Sequence, residues 1–214
     1  VREVFIERRR VGNWGSVSAA ASSLSAAIAA AIADPSVTRL VFPRGRFVID
    51  TDFIVSRPGL DLVFEGTRIV QQTHGRGFLQ LRSDGCRLIG DVTVAYEGVR
   101  SPIGGRYRAN TGFQRMCAVW VESSGNTIDS VRGENLFNTV CLRGPVVRNP
   151  AGAGFTGADS DPTTAYLYTD NATDNWIKYV EGRDQDFVVT GHQQTDLDID
   201  WYEGVRITNA QGIP

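Results

Sequence analysis

The 214-residue chain is poor in the residues on which most catalytic and metal chemistry depends. It has two histidines, three cysteines, one methionine and, among 22 basic residues, a single lysine, Lys178. No Ser/His/Asp arrangement and no nucleotide-binding glycine motif can be drawn from it. Cys86, Cys117 and Cys141 are odd in number and lack CxxC spacing, so neither a disulfide framework nor a zinc site is indicated. Three free thiols suit assembly in a reducing cytoplasm. Charge of one sign is lacking too. A net charge of −2 and a pI near 5.7 supply no basic field, so nucleic acid is not expected as a partner. Long apolar runs are also missing. Ser16–Ala33 follows Arg8–Arg9–Arg10 like a signal peptide, but it is mostly Ala and is interrupted by Ser22, Ser23 and Ser25. It is too short and too weakly apolar to span a bilayer, and no membrane insertion is expected. The chain opens on Val1 rather than Met, which leaves room for a longer parent.

What is present describes a folded, turn-rich chain. Hydrophobic residues make up 42% and charged residues 21%, and the 23 glycines exceed the usual share. The near-exclusive use of Arg reflects either an Arg-favouring codon usage or a need for guanidinium forks that grip carboxylates, as an acidic polysaccharide would require. Ser16–Ala33 reads as one helix, because Leu24, Ile28 and Ile32 form a stripe at i, i+4, i+8 and Asp34–Pro35 ends it.

Beyond the helix come short β-type runs that repeat. Leu40–Phe42 recurs at Leu62–Phe64, then as Arg87–Ile89 and Thr127–Asp129. Phe47–Ile49 recurs as Arg68–Val70 and Val92–Val94. Phe53–Val55 recurs as Leu79–Leu81, Val119–Val121 and Val140–Leu142. Steps within these three columns are about 22 residues, except where the Gly/Arg/Ser-rich insert Gly98–Gln114 intervenes. The pattern is that of a coil whose turns stack as parallel sheets. A β-sandwich also has many short strands, but it needs hairpin turns, and only Asp84–Gly85 fits one. Phe42, Phe47 and Phe64 are expected in a dry interior, and the thin Ala-rich helix on the exposed edge of the first turn.

The helix followed by Arg39–Ile49 (RLVFPRGRFVI) resembles the start of the pectin-lyase-like right-handed parallel β-helix. There a capping helix precedes a V-x-F-P-x-G-x-Y-x-I segment. The likeness extends in particular to pectate-lyase-like domains of bacteriophage tailspikes. It covers about residues 11–143 well and 170–210 loosely. Where the family has Gly-Asp-Gly followed by paired Asp and Thr, this chain has Gly12-Asn-Trp-Gly15-Ser and no acid. The resemblance implies an all-β fold, a right-handed single-stranded parallel β-helix with an N-terminal capping helix. A lead-in at 1–15, the cap at 16–34 and the β-helix at 39–214 follow from it, with loop inserts near 98–115 and 146–172.

Two constellations carry the expected chemistry. Alternation along the third column sends Ile54, Gln80, Trp120 and Cys141 outward in one row, and Ser56, Arg82, Glu122 and Arg143 in the next. Turns about 4.8 Å apart would bring Arg82, Glu122 and Arg143 into a ladder beside Trp120. It is either a solvated salt-bridge ladder or a sugar subsite, with Trp120 for stacking, Glu122 for acid or base work and the arginines for an acidic group. The second is Asp196, Asp198 and Asp200, which project from one face about 6.5–7 Å apart, followed by Trp201 and Tyr202. That spacing suits an inverting glycosidase pair, the same oxygens would serve Ca²⁺, and a merely soluble outer face is the plain alternative. No other cofactor is expected.

The function expected from the resemblance is a tailspike or tail-fibre module that binds cell-surface polysaccharide, with cleavage left open and hydrolysis favoured over a lyase reaction. Its place would be the virion tail, assembled in the host cytoplasm, or outside the cell if the protein is not viral. Its partners would be polysaccharide, two further copies in a homotrimer and other virion tail proteins. An outward Trp120 and Cys141 would suit the trimer. The alternatives are a non-catalytic attachment module of a larger virion protein and a stand-alone polysaccharide lyase. For the lyase a single Lys leaves little to abstract a proton.

Overall fold

A computed structural model describes residues 2–5, 17–99, 116–142, 146–148, 166–168, 174–185, 187–191, 206–207 and 210–213. Among the described residues, every element apart from the helix α1 (Val17–Ala33) is a β-strand. The first strands are β1 (Arg2–Phe5), β2 (Val37–Phe42), β3 (Gly45–Ile49) and β4 (Phe53–Val55). They are followed by β5 (Asp61–Gln71), β6 (Leu79–Leu81), β7 (Arg87–Tyr96) and β8 (Cys117–Val121). Next come β9 (Thr127–Glu134), β10 (Asn138–Leu142), β11 (Val146–Arg148) and β12 (Tyr166–Tyr168), and then β13 (Trp176–Arg183), β14 (Phe187–Gly191), β15 (Arg206–Ile207) and β16 (Ala210–Ile213).

Two sheets share almost all of these strands. A nine-stranded sheet runs β1-β2-β5-β7-β9-β13-β15, with β3 also on β5 and β16 also on β13. A five-stranded sheet runs β14-β10-β8-β6-β4. Every pairing in both is parallel; only β11 and β12 pair antiparallel. Parallel neighbours cannot be joined by a tight hairpin, so the sandwich reading is excluded for these sheets. The chain visits the sheets alternately, and each return lands beside the previous visit.

The third column matches its expected register. Phe53, Leu79, Val119, Val140 and Val189 stand opposite one another across four pairings. The other two columns depart from expectation in two ways. They are not separate sheets: β5, β7 and β9 run through both, whereas β2 and β3 are split around Pro43, which has no N–H to give, and β15 and β16 pair separately with β13. The register also shifts by one residue. Leu62 faces Leu88 rather than Arg87, and Phe47 and Ile49 face Ile69 and Gln71 rather than Arg68 and Val70.

A bend inside each long strand displaces the second column, whereas Leu62 and Leu88 pair ahead of it. Between inward Phe64 and inward Thr67, both Glu65 and Gly66 point out; Asp129–Ser130 lie likewise between Ile128 and Val131, and Lys178–Tyr179 between Ile177 and Val180. Two outward residues in succession break the period of two and exchange faces for everything beyond. In β7 the bend takes one residue more. Gly90 sits there at φ +89°, with no room for a side chain because a Cβ would lie 2.1 Å from the Phe64 carbonyl oxygen.

The core lies between the sheets. Phe42 stacks on Phe64 with ring centroids 4.9 Å apart, and Phe78 meets the rings of Phe42, Phe53 and Phe64 edge-on. Phe47 joins edge-on to Phe42, as the sequence led us to expect of an interior residue. The helix stripe Leu24, Ile28 and Ile32 is buried in the same cluster. Ser25 Oγ donates to Asp50 Oδ1 at 2.6 Å, and Arg57 Nε donates to the Ile32 carbonyl at 2.7 Å, satisfying the helix C-terminus. The helix packs on β2, β3 and β4 and closes the core at that end. It does not cover the edge of β2, which pairs with β1, so part of the lead-in is a strand.

At one corner, polar side chains replace apolar ones. Leu60, Cys86, Asn126 and Asn175 stack through successive backbone bonds, and all are buried. Asn126 Nδ2 donates to Asn175 Oδ1 at 2.8 Å, while Asn126 Oδ1 accepts from the Cys86 N–H at 2.9 Å. One residue earlier, Gly59, Gly85 and Gly125 each turn at φ +68°, and Asp174 takes the same corner at φ +54°. The glycine excess marks these corners.

Candidate functional site

On the outward positions of the five-stranded sheet the sequence predicts a ladder of side chains. Ile54, Gln80, Trp120 and Cys141 do lie in one row, and Arg82 and Glu122 follow two residues on from Gln80 and Trp120. Arg82 Nε stands 2.7 Å from Glu122 Oε2, so the central rung of the ladder exists. Arg82 Nη2 also donates to Gln80 Oε1 at 3.0 Å, and Gln80 in turn donates to Asp52, which Arg76 grips at 2.7 Å. The carboxylates are the buried partners here: Glu122 and Asp52 side chains are only 10% and 7% exposed. Arg143 lies outside the described residues.

Trp120 corrects the expectation of a stacking platform. Its ring is 6% exposed and packs with Cys117 and Cys141 in a small buried cluster of its own. An outward position in the register is therefore not an open one, and neither Trp120 nor Cys141 offers an apolar patch in support of a trimer. All three cysteines are free and buried, and burial pushes the Cys86 thiol above its ordinary value.

Asp196, Asp198, Asp200, Trp201 and Tyr202 lie outside the described residues. Among the described residues no group of three or more His, Cys, Asp or Glu side chains could hold a metal ion. No described helix is long and apolar enough to cross a membrane.

A richer constellation stands on the outer face of the nine-stranded sheet, where sequence reading placed nothing. The bend brings Asp91, Ser130 and Tyr179 into one row, with Thr93, Arg132 and Glu181 in the next row but one. Arg132 Nη1 reaches both carboxylate oxygens of Asp91 at 2.6 Å, and its Nε reaches Glu181 Oε2 at 3.1 Å. Its guanidinium lies 5.4 Å from the Tyr179 ring centroid. The Tyr179 hydroxyl donates to Glu181 Oε2 at 2.8 Å, and Arg183 Nη2 reaches Glu181 Oε1 at 3.3 Å. Glu181 is buried, yet the Tyr179 hydroxyl and the two guanidinium groups hold its carboxyl below the ordinary value. The same bond raises the Tyr179 phenol.

Beside this network Lys178 reaches Asp129 Oδ1 at 2.5 Å and lies 5.2 Å from the Trp176 ring centroid. Burial pushes the Asp129 carboxyl up, but Lys178 and the Gly90 N–H outweigh it and keep the carboxyl below its ordinary value. Trp176 is 39% exposed, a large aromatic surface beside fixed polar groups. Chemically the surface offers an aromatic face, oriented carboxylates and planar donors. The signal that could have found it is Trp-Ile-Lys-Tyr-Val-Glu, once Ile177 and Val180 are read as inward at a spacing of three.

Several arginines elsewhere are also paired with carboxylates. Arg39 and Arg87 share Asp61, Arg46 pairs with Glu97, and Arg68 with Glu134. The bond to Glu134 raises Arg68 further, and that to Asp61 raises Arg87. No family model, no curated protein and no solved structure matches the chain.

Proposed function

We propose that the chain is coiled as a right-handed single-stranded parallel β-helix of the pectin-lyase-like kind and serves as a tailspike or tail-fibre module that binds cell-surface polysaccharide. The observation that carries this reading is the outer face of β9 and β13. There Trp176 offers an aromatic surface beside Lys178, and farther along β13 Arg132, Glu181, Asp91 and Tyr179 fix one another's orientation by mutual bonds. Sugars are bound by stacking on aromatic faces and by planar polar groups that meet pairs of hydroxyls, and side chains already held in place lose little entropy on binding. The in-register parallel strands support the coil, since each turn lies directly on the one before it. In this reading the protein is a homotrimer of the virion tail that contacts other tail proteins.

Attachment without cleavage is the form we favour over hydrolysis. Of the carboxylates expected to do acid or base work, Glu122 is engaged by Arg82 and lies next to a closed Trp120, while Asp196, Asp198 and Asp200 lie outside the described residues. Incubating the protein with capsular and lipopolysaccharide preparations tests both forms. Binding without new reducing ends is the expected result. New reducing ends alone would mean a hydrolase, and reducing ends with absorbance at the unsaturated-uronate band a lyase. No binding to any preparation overturns the proposal. Light scattering coupled to size exclusion gives the copy number, for which three is expected.

A further inference from the structure

Beyond the bend, the outer face of β3, β5 and β7 carries apolar residues where water would be expected. Val48, Val70 and Ala95 alternate with Phe47, Ile49, Ile69, Val94 and Tyr96 of the core and so point outward. They stand opposite one another on successive turns, with Glu134 next in the row. They are nonetheless 7%, 1% and 2% exposed, and Val48 and Val70 form a cluster separate from the main core. Two residues earlier on the same face, Arg46 stands directly opposite Arg68, with Thr93 beyond. Like charges so placed repel. Each is answered by a carboxylate two turns away: Arg46 by Glu97, and Arg68 by Glu134 at 2.7 Å.

The paths of these pairs cross the apolar row. Val70 lies one turn and two residues from Arg46, and one turn and two residues from Glu97, so the first pair spans it symmetrically. The second pair runs from Arg68 to Glu134 past Thr93 and Ala95 on the strand between. The two pairs are linked electrostatically: the Arg68 guanidinium is raised chiefly by its bond to Glu134, and Glu97 adds to the rise. All four charged side chains are between 32% and 48% exposed, whereas the apolar residues they span are closed to water. Long side chains act in this way when their stems cover apolar surface and their heads stay in solvent. A planar, weakly hydrated guanidinium suits such contact better than an ammonium, which gives the Arg bias a use on this face.

We propose that the Arg46–Glu97 and Arg68–Glu134 pairs form a salt-sensitive strap that ties together β3, β5, β7 and β9 and closes the row Val48–Val70–Ala95 to water and to partners. The strap is independent of what the chain binds elsewhere. Exposed pairs are weak and are screened by salt, so added salt loosens it.

Cysteine labelling of the full chain tests the strap, because all three native cysteines are buried and give a low background. Val70→Cys puts a reporter under the first pair, and Ala95→Cys puts one beside the second. The reagent is N-ethylmaleimide, which is uncharged. Both reporters should react at least about tenfold more slowly than Val99→Cys, whose position is 89% exposed. Glu97→Gln and Arg46→Ala should each speed labelling of Val70→Cys by about fivefold, the change in open population that loss of one exposed pair allows. A mere effect of charge on the thiol would move these two variants in opposite directions. Glu134→Gln should likewise speed Ala95→Cys, and salt should speed the reporters with both pairs intact more than those lacking one. A reporter that unfolds the chain betrays itself by labelling of the native cysteines, and the other reporter then decides. Labelling as fast as at Val99→Cys with both pairs intact overturns the strap. So do equally slow labelling with a pair removed, and opposite shifts for Glu97→Gln and Arg46→Ala.

Discussion

Asn126 and Asn175 are bonded twice across adjacent turns: the Asn126 N–H donates to Asn175 Oδ1 at 3.0 Å, and Asn126 Nδ2 donates to the same oxygen at 2.8 Å. Both residues are 1% exposed. Asn175 Nδ2 returns to the Ser123 carbonyl at 3.0 Å, so a corner that would otherwise bury backbone polar groups is satisfied by side chains. Asn126→Ala leaves the Cys86 N–H without its acceptor and Asn175 Oδ1 with one donor fewer. At about 1–3 kcal/mol per stranded buried group, a loss of about 3 kcal/mol is expected in urea unfolding. A loss below about 0.5 kcal/mol would show that the pair does not hold the corner.

Acid should weaken the fold through Glu181 and Asp129. Both carboxyls are held below their ordinary values of 4.5 and 3.8, Glu181 chiefly by the Tyr179 hydroxyl and Asp129 by Lys178 and the Gly90 N–H. A depressed carboxyl stabilises the folded chain fully above its unfolded value, and the contribution fades as pH falls through the folded value. The urea midpoint should therefore be flat from neutrality to about pH 5 and fall below about pH 4. Glu181→Gln should lower the midpoint at neutral pH and make the fall at low pH shallower. A midpoint that rises on acidification would reverse the assignment.

Particular residues show how far the sequence could be read. Phe53, Leu79, Val119 and Val140 were legible because strands of three to five residues carry no internal bend here, so alternation alone sets the face. The same rule failed along β5: strict alternation beyond Phe64 puts Arg68 and Val70 inside, whereas Glu65 and Gly66 both turn out and Ile69 and Gln71 fill the core instead. Gln71 at 0% exposure has no apolar signal at all; its amide donates to the Thr51 and Gly77 carbonyls and accepts from the Thr73 N–H. The Arg82–Glu122 pair followed from strand alternation and turn spacing. The burial of Trp120 did not, because alternation assigns a face of the sheet and says nothing of what packs on that face. The surface around Arg132 was hidden for two reasons. It joins β7, β9 and β13 across long intervals of sequence, and it depends on the bend that alternation misses.

Two glycines with similar backbone angles should respond very differently to a methyl group. At Gly59, φ +68°, a Cβ meets nothing within 4 Å, so Gly59→Ala bears only the left-handed backbone strain of about 1–2 kcal/mol. At Gly90, φ +89°, the same atom lies 2.1 Å from the Phe64 carbonyl oxygen. Gly90→Ala must part β5 from β7 or unbend the strand, and an overpacking cost of about 1–3 kcal/mol adds to the strain. Thermal unfolding of the two variants should rank Gly90→Ala well below Gly59→Ala. Equal midpoints would mean that the bend does not depend on close approach of the strands.

The Arg82–Glu122 pair is asymmetric, and the asymmetry has a consequence for mutation. Arg82 is 47% exposed, so its own share of the ion pair is weakened by solvent, and a double-mutant cycle should give a coupling of about 1 kcal/mol or less. The single variants should not be equal, however. Arg82→Ala leaves the Glu122 carboxylate, 10% exposed, without its cation, whereas Glu122→Gln leaves a guanidinium that water reaches freely. Arg82→Ala is therefore expected to destabilise the fold more than Glu122→Gln does. Added salt should narrow the difference by screening the charge that Arg82→Ala strands. The reverse ranking would mean that Glu122 is held chiefly by contacts other than Arg82, and the pair would then lose its standing as the central rung of the outer face.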